Sequence, residues 1–86
     1  MPNSAPQMHV KVYAPFKVYF DGEASSVSAI NRVGPFDVLP RHHNFITLLQ
    51  RGKVTVRLAG KNDFVMAIDK GVMHVKADEV KVFLDV

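Results

Sequence analysis

The chain has 86 residues, a formal charge of +3 with its histidines neutral, and 48% hydrophobic residues. That length holds one small domain with a thin core, and the absence of cysteine excludes disulfides and thiolate-bound metals as staples. Acidic residues are interspersed among the basic ones, so no basic stripe dictates a partner, and no run approaches the ~20 apolar residues of a membrane span.

Residues 1–7, Met1-Pro2-Asn3-Ser4-Ala5-Pro6-Gln7, lack the basic and apolar regions of a secretory leader and read as a short flexible tail. Together with the lack of cysteine this fits a cytosolic setting. From residue 8 to 86 the sequence reads as one domain, because alternation of period two recurs throughout. Met8, Val10 and Val12 alternate with His9, Lys11 and Tyr13 until Ala14-Pro15 breaks the run. Lys17 to Phe20 is a second run, closed by the turn signal Asp21-Gly22. Glu23 to Ile30 follows, rich in small residues that suit close approach of a facing sheet or a partner. Asn31 to Pro35 reads as a loop, Phe36 to Leu39 as a short run stopped by Pro40, and Phe45 to Leu49 as another ending at Arg51-Gly52.

The second half alternates more cleanly. Lys53 to Leu58, Phe64 to Ile68, Val72 to Lys76 and Val80 to Leu84 are separated by the polar segments Ala59 to Asp63, Asp69 to Gly71 and Ala77 to Glu79. Short strands at this spacing predict an all-β fold: a flattened antiparallel β-sandwich or barrel of about 8–10 short strands. No stretch carries a helical period, so no helix is expected.

Catalytic chemistry has little to draw on. Ser25, Ser26 and Ser28 lie in a predicted strand without a G-x-S-x-G elbow, and no glycine-rich phosphate cradle is present. His42-His43 is the most conspicuous polar pair, but on a strand the two side chains would point to opposite faces and could not share a metal. His9 and His74 fall on the polar side of their strands. The residue types therefore name no catalytic, cofactor or metal site. A small basic β-barrel that stacks single-stranded nucleic acid is an alternative reading, with Tyr13, Phe16, Tyr19 and Phe20 beside Lys11 and Lys17; a sandwich serving some other protein partner is another.

The most distinctive stretch is Gly34-Pro35-Phe36-Asp37-Val38-Leu39-Pro40-Arg41-His42, where two prolines fix a rigid, partly extended segment. It resembles the N-terminal β-sandwich of the ε subunit of F-type ATP synthases (δ in mitochondria), whose G-x-F-x-V-L-P-x-H signature is matched by Gly34, Phe36, Val38, Leu39, Pro40 and His42. Val10 to Gly22, Phe45 to Leu49 with Arg51-Gly52, Val54 to Arg57, Ala67 to Val75 and Val80 to Asp85 resemble the family's other segments in order. The resemblance covers about residues 8 to 86.

The resemblance implies a subunit with no catalytic residues or cofactor, at the foot of a rotating central stalk on the cytoplasmic face of the inner membrane. Its expected partners are the γ subunit and the polar loops of the c-ring, without nucleic acid or membrane insertion. By position, Pro35, Arg41, His42 and His43 fall on the ring-facing end, and Ala14, Phe16 and Thr47 where the family packs on γ. The chain departs from the pattern at Pro35, where an acidic residue is common, at Arg41, where a small residue (usually glycine) stands, at His43-Asn44 in place of Ala-Pro, and at Lys70 in place of a glycine. These changes fall mostly on the expected ring contact and read as co-adaptation to a different charge pattern. Family members usually continue into a two-helix hairpin that binds nucleotide or brakes hydrolysis; ending at Val86, this chain is expected to do neither.

Overall fold

The computed structural model describes residues 7–84, so the expected tail, Gln7 apart, lies outside the described residues. Among the described residues there are nine strands: β1 (Met8–Ala14), β2 (Lys17–Ala24), β3 (Ser26–Asn31), β4 (Gly34–Val38), β5 (Phe45–Leu49), β6 (Gly52–Arg57), β7 (Phe64–Ile68), β8 (Gly71–Lys76) and β9 (Glu79–Leu84). They form a five-stranded sheet, β2-β1-β9-β8-β5, and a four-stranded sheet, β4-β3-β6-β7. The two enclose one core as a flattened β-sandwich measuring 41 × 25 × 19 Å.

Valine alternation explains the core. Met8, Val10, Val12 and Ala14 of β1, Met73 and Val75 of β8, and Val80, Val82 and Leu84 of β9 turn inward from one sheet. Val27 and Ala29 of β3 meet them from the other with Val38, Val54 and Val56. β-Branched side chains are stiff and pack well on a pleated surface, so burying one row of each strand specifies which face is inside. Phe20, Phe36, Phe45 and Phe64 close the margins of this core.

The expected strand directions need one correction. β1 and β9 pair in parallel, His9 opposite Glu79 through Tyr13 opposite Phe83, while the other pairings are antiparallel. The β8–β9 hairpin inserts β9 beside β1, whose direction its hairpin with β2 has already set.

The predicted breaks also shift. Asp21-Gly22 is no turn: β2 runs through it, with Asp21 opposite Lys11 and Gly22 opposite Val10. The Phe20 ring lies 3.4 Å from where a Cβ at residue 22 would stand, an ordinary contact, so neither a turn nor packing demands glycine there. The Glu23 to Ile30 run is instead broken at Ser25, whose hydroxyl donates to the Arg57 carbonyl at 3.0 Å. Asn31 to Pro35 is no open loop either. Only Arg32 and Val33 turn, and Pro35 sits in β4 opposite Ile30; proline is tolerated there because β4 is an edge strand.

Candidate protein-interaction surfaces

Strand directions give the sandwich two ends. One gathers the Leu39 to Asn44 segment, the Ala77-Asp78 turn and the start of β1. The other gathers the turns Pro15-Phe16, Arg32-Val33, Gln50-Arg51 and Asp69-Lys70.

At the first end, Leu39 to His42 is a β-turn. The His42 N–H donates to the Leu39 carbonyl at 3.1 Å, Pro40 fixes the second position, and Arg41 takes the third with φ 68°. That left-handed conformation suits the glycine usual in the family pattern. Here the Arg41 N–H donates to the Asp78 carboxylate at 2.6 Å, and the Asn44 side-chain oxygen accepts from the Ala77 N–H at 3.1 Å. Asp78 is itself in a two-residue hairpin with Ala77, at φ 62° and 50°, the conformation a tight hairpin demands. Its carbonyl also accepts from the His9 N–H at 2.9 Å. Three chain segments are thus tied together, with the Arg41 side chain exposed beside them.

His42 and His43 lie in this loop rather than on a strand, which corrects the premise that they face opposite ways. Their rings stack at 4.3 Å between centroids, and His42 stacks on Phe45 at 4.8 Å. His42 Nδ1 is engaged by the His43 carbonyl at 2.8 Å. Among the described residues no group of three or more His, Asp or Glu side chains converges to hold a metal ion.

The seven residues expected at interfaces separate in space. Arg41, His42 and His43 share the first end. Pro35 does not join them: it sits near the opposite end of β4, about 10 Å up the strand from Val38 at ~3.3 Å per residue. Phe16 is fully exposed at the second end, whereas Ala14 beside it is buried at 5% exposure. Thr47 lies on β5, its hydroxyl accepting from the Asn31 side-chain amide at 3.2 Å.

The strand register brings together a set that chain position alone conceals. Val18 and Tyr13 are opposite each other, then Tyr13 and Phe83, Phe83 and Val72, Val72 and Leu48. One apolar row therefore crosses all five strands of the larger sheet on its outer face, in the half nearer Phe16. Val18 is 53% and Leu48 62% exposed. The next row, Asp21, Lys11, Lys81, His74 and Ile46, is mostly charged. Tyr13 packs edge-on against Phe83 at 5.2 Å between centroids, and Lys11 reaches over the Tyr13 ring at 4.8 Å. Phe20 packs against Phe64 at 5.3 Å, and Lys17 lies 5.1 Å from the Tyr19 ring. The aromatics considered for base stacking are thus largely engaged with one another or with lysines, Phe16 apart.

His9 sits in the polar half, Nε2 2.6 Å from Asp21 and Nδ1 3.4 Å from Glu23. The hydrogen bond to Glu23 and the nearby Asp21 raise its pKa above the ordinary value. The serines serve the sheet: Arg57 donates to Ser28 at 2.5 Å and Ser28 to Asp37 at 2.5 Å.

The nine strands define a small all-β sandwich domain with one polar end and one apolar outer half-face. The chain belongs to the family described as ATP synthase, Delta/Epsilon chain, beta-sandwich domain, whose profile matches residues 7–86. The ATP synthase epsilon chain of Laribacter hongkongensis is 31% identical over 80 residues, 92% of this chain and 57% of that protein. That of Brevibacillus brevis is 29% identical over 79 residues, 92% of this chain and 60% of that protein. The chain thus spans somewhat over half the length of these relatives. Two solved structures share the fold. A chain of the Euglena gracilis mitochondrial ATP synthase (OSCP/F1/c-ring) superposes with TM-score 0.85 at 18% identity, covering 96% of this chain and 53% of that one. A chain from the Tetrahymena thermophila mitochondrial ATP synthase central stalk and c-ring gives 0.76 at 19%, covering 98% and 67%.

Proposed function

We propose that the chain is a non-catalytic central-stalk element of a rotary ATP synthase, held between the γ subunit and the c-ring at the cytoplasmic face of the membrane, and that it couples ring rotation to ATP synthesis. The observation that carries this is the apolar row Val18, Tyr13, Phe83, Val72 and Leu48, an exposed stripe rimmed by charge, as protein interfaces are. The row packs on γ. The Arg41 to Asn44 end, polar and anchored to Asp78, meets the polar loops of the ring. Of the expected γ-facing residues, Phe16 extends the row at its end of the molecule, while Ala14 and Thr47 support the strands beneath. Transmission of torque through such an element needs two independent contacts and a rigid body between them, and the single valine core provides the rigidity.

Reconstitution with separately purified γ and c-ring tests this. Phe83→Glu should weaken γ association about tenfold or more, a loss of about 1.4 kcal/mol, and leave ring association unchanged. Arg41→Glu should do the reverse. Loss of both associations in either variant, with the fold intact by circular dichroism, would refute the assignment of separate faces.

A further inference from the structure

We propose that the free edge of β5 is a strand-addition site that takes an extended protein segment bearing apolar side chains at alternate positions and a carboxylate. The proposal goes beyond the stalk reading, because it holds whichever protein supplies the strand.

β5 pairs only with β8. Among the described residues no backbone hydrogen bond joins Ile46, Thr47 or Leu48 to any strand other than β8. Half of the polar backbone groups of an edge strand point away from its neighbour, and proteins usually protect them with charge, proline or a bulge. Two of the other three edges show such protection. β4 carries Pro35 and Asp37, and β2 carries Lys17, Asp21 and Glu23 opposite an irregularity at Val12/Tyr13. β7 is uncharged but flanked by Asp63 and Asp69, and exposes only Val65 and the small Ala67. β5, Phe-Ile-Thr-Leu-Leu, carries no charge, proline or bulge; just past its end the Gln50 N–H donates to the Ile30 carbonyl at 2.8 Å, and the Asn31 side-chain amide donates to the Thr47 hydroxyl.

A groove of about 310 Å³ runs along this edge, walled on its far side by the β3–β4 turn and lined by Asn31, Arg32, Val33, Ile46, Thr47 and Leu48. Val33 is 96% and Ile46 67% exposed, so the groove is apolar on both walls. The turn is held in place by the Asn31 side-chain oxygen, which accepts from the N–H groups of Val33 and Gly34. Arg32 is exposed at the rim and makes no ion pair among the described residues. Backbone pairing on β5 gives such a segment its grip, Val33, Ile46 and Leu48 select apolar residues at alternate positions, and Arg32 selects an acidic one. A second copy pairing through the same edge would present no carboxylate from β5 or the Arg32-Val33 turn, so the occupant that matches Arg32 is a different, acidic segment.

The test titrates the labelled chain with a short acetylated peptide of alternating valine and threonine ending in glutamate, read by amide chemical shifts. Shifts confined to residues 45–49 and 32–33 are expected, with affinity falling about tenfold in Ile46→Lys, in Arg32→Glu, and when lysine replaces the peptide's glutamate. Val65→Lys should bind like the parent chain. Shifts centred on β7, no shift at millimolar peptide, or dimerisation of the chain through β5 in sedimentation would each overturn the proposal.

Discussion

Arg41, an exposed non-glycine residue in the left-handed region, gives the proposed ring contact a cost in stability. A non-glycine side chain in the left-handed region costs about 1–2 kcal/mol, and the hydrogen bond to Asp78, made by the main-chain N–H, is one that glycine would keep. Glycine carries extra unfolded-state entropy, which removes some of the gain. Arg41→Gly should therefore stabilise the fold by about 1 kcal/mol, raising the thermal midpoint by about 4–8 °C in a scanning calorimeter, while weakening ring association less than Arg41→Glu does. His9 gives a pH dependence of definite sign. Its pKa is raised in the folded chain by Glu23 and then Asp21, so its stabilising contribution is complete below about 6.5, the unfolded value, and is lost as pH rises through the raised folded value. The His9 titration followed by NMR should have its midpoint above that of a free histidine, and Glu23→Gln should lower it. The sequence could not announce this triad. Asp21-Gly22 looks like a hairpin turn until the register shows Asp21 opposite Lys11 and Glu23 opposite His9.

At the scale of elements, strand existence was legible and strand ends were not. Alternation marked β1, β6, β8 and β9, because each buries one row of apolar side chains, mostly valine and methionine. Turn residues misled where glycine or proline sat inside a strand, as at Gly22 in β2 and Pro35 on the β4 edge. Gly71 is a case of space. A Cβ there would stand 2.8 Å from the Phe83 carbonyl oxygen, which is backbone and cannot swing aside. Gly71→Ala should cost about 1–3 kcal/mol, visible as a lower urea midpoint with an unchanged slope. The surface features behind the proposed γ contact were unequally legible. Phe16 is a fully exposed aromatic beside a turn signal, whereas the apolar row runs through residues 13, 18, 48, 72 and 83. Its one hint was large apolar residues on the outward side of the alternation; their adjacency depends on pairings between strands far apart in the chain.

At the scale of the whole molecule, β9 holds the larger sheet together, since it lies between β1 and β8. Truncation before Glu79 should leave β1–β2 and β8–β5 unjoined and abolish the cooperative unfolding transition in circular dichroism. The same arrangement makes the domain one body on which the two proposed contact surfaces, the Arg41 end and the apolar half-face, lie at different places. Methyl cross-saturation of the labelled chain from an unlabelled γ subunit tests that account most directly. Saturation should reach Val18, Leu48 and Val72 of the apolar row and leave Val65, on the opposite sheet, untouched. Saturation of Val65 with Val18 and Val72 spared would contradict it.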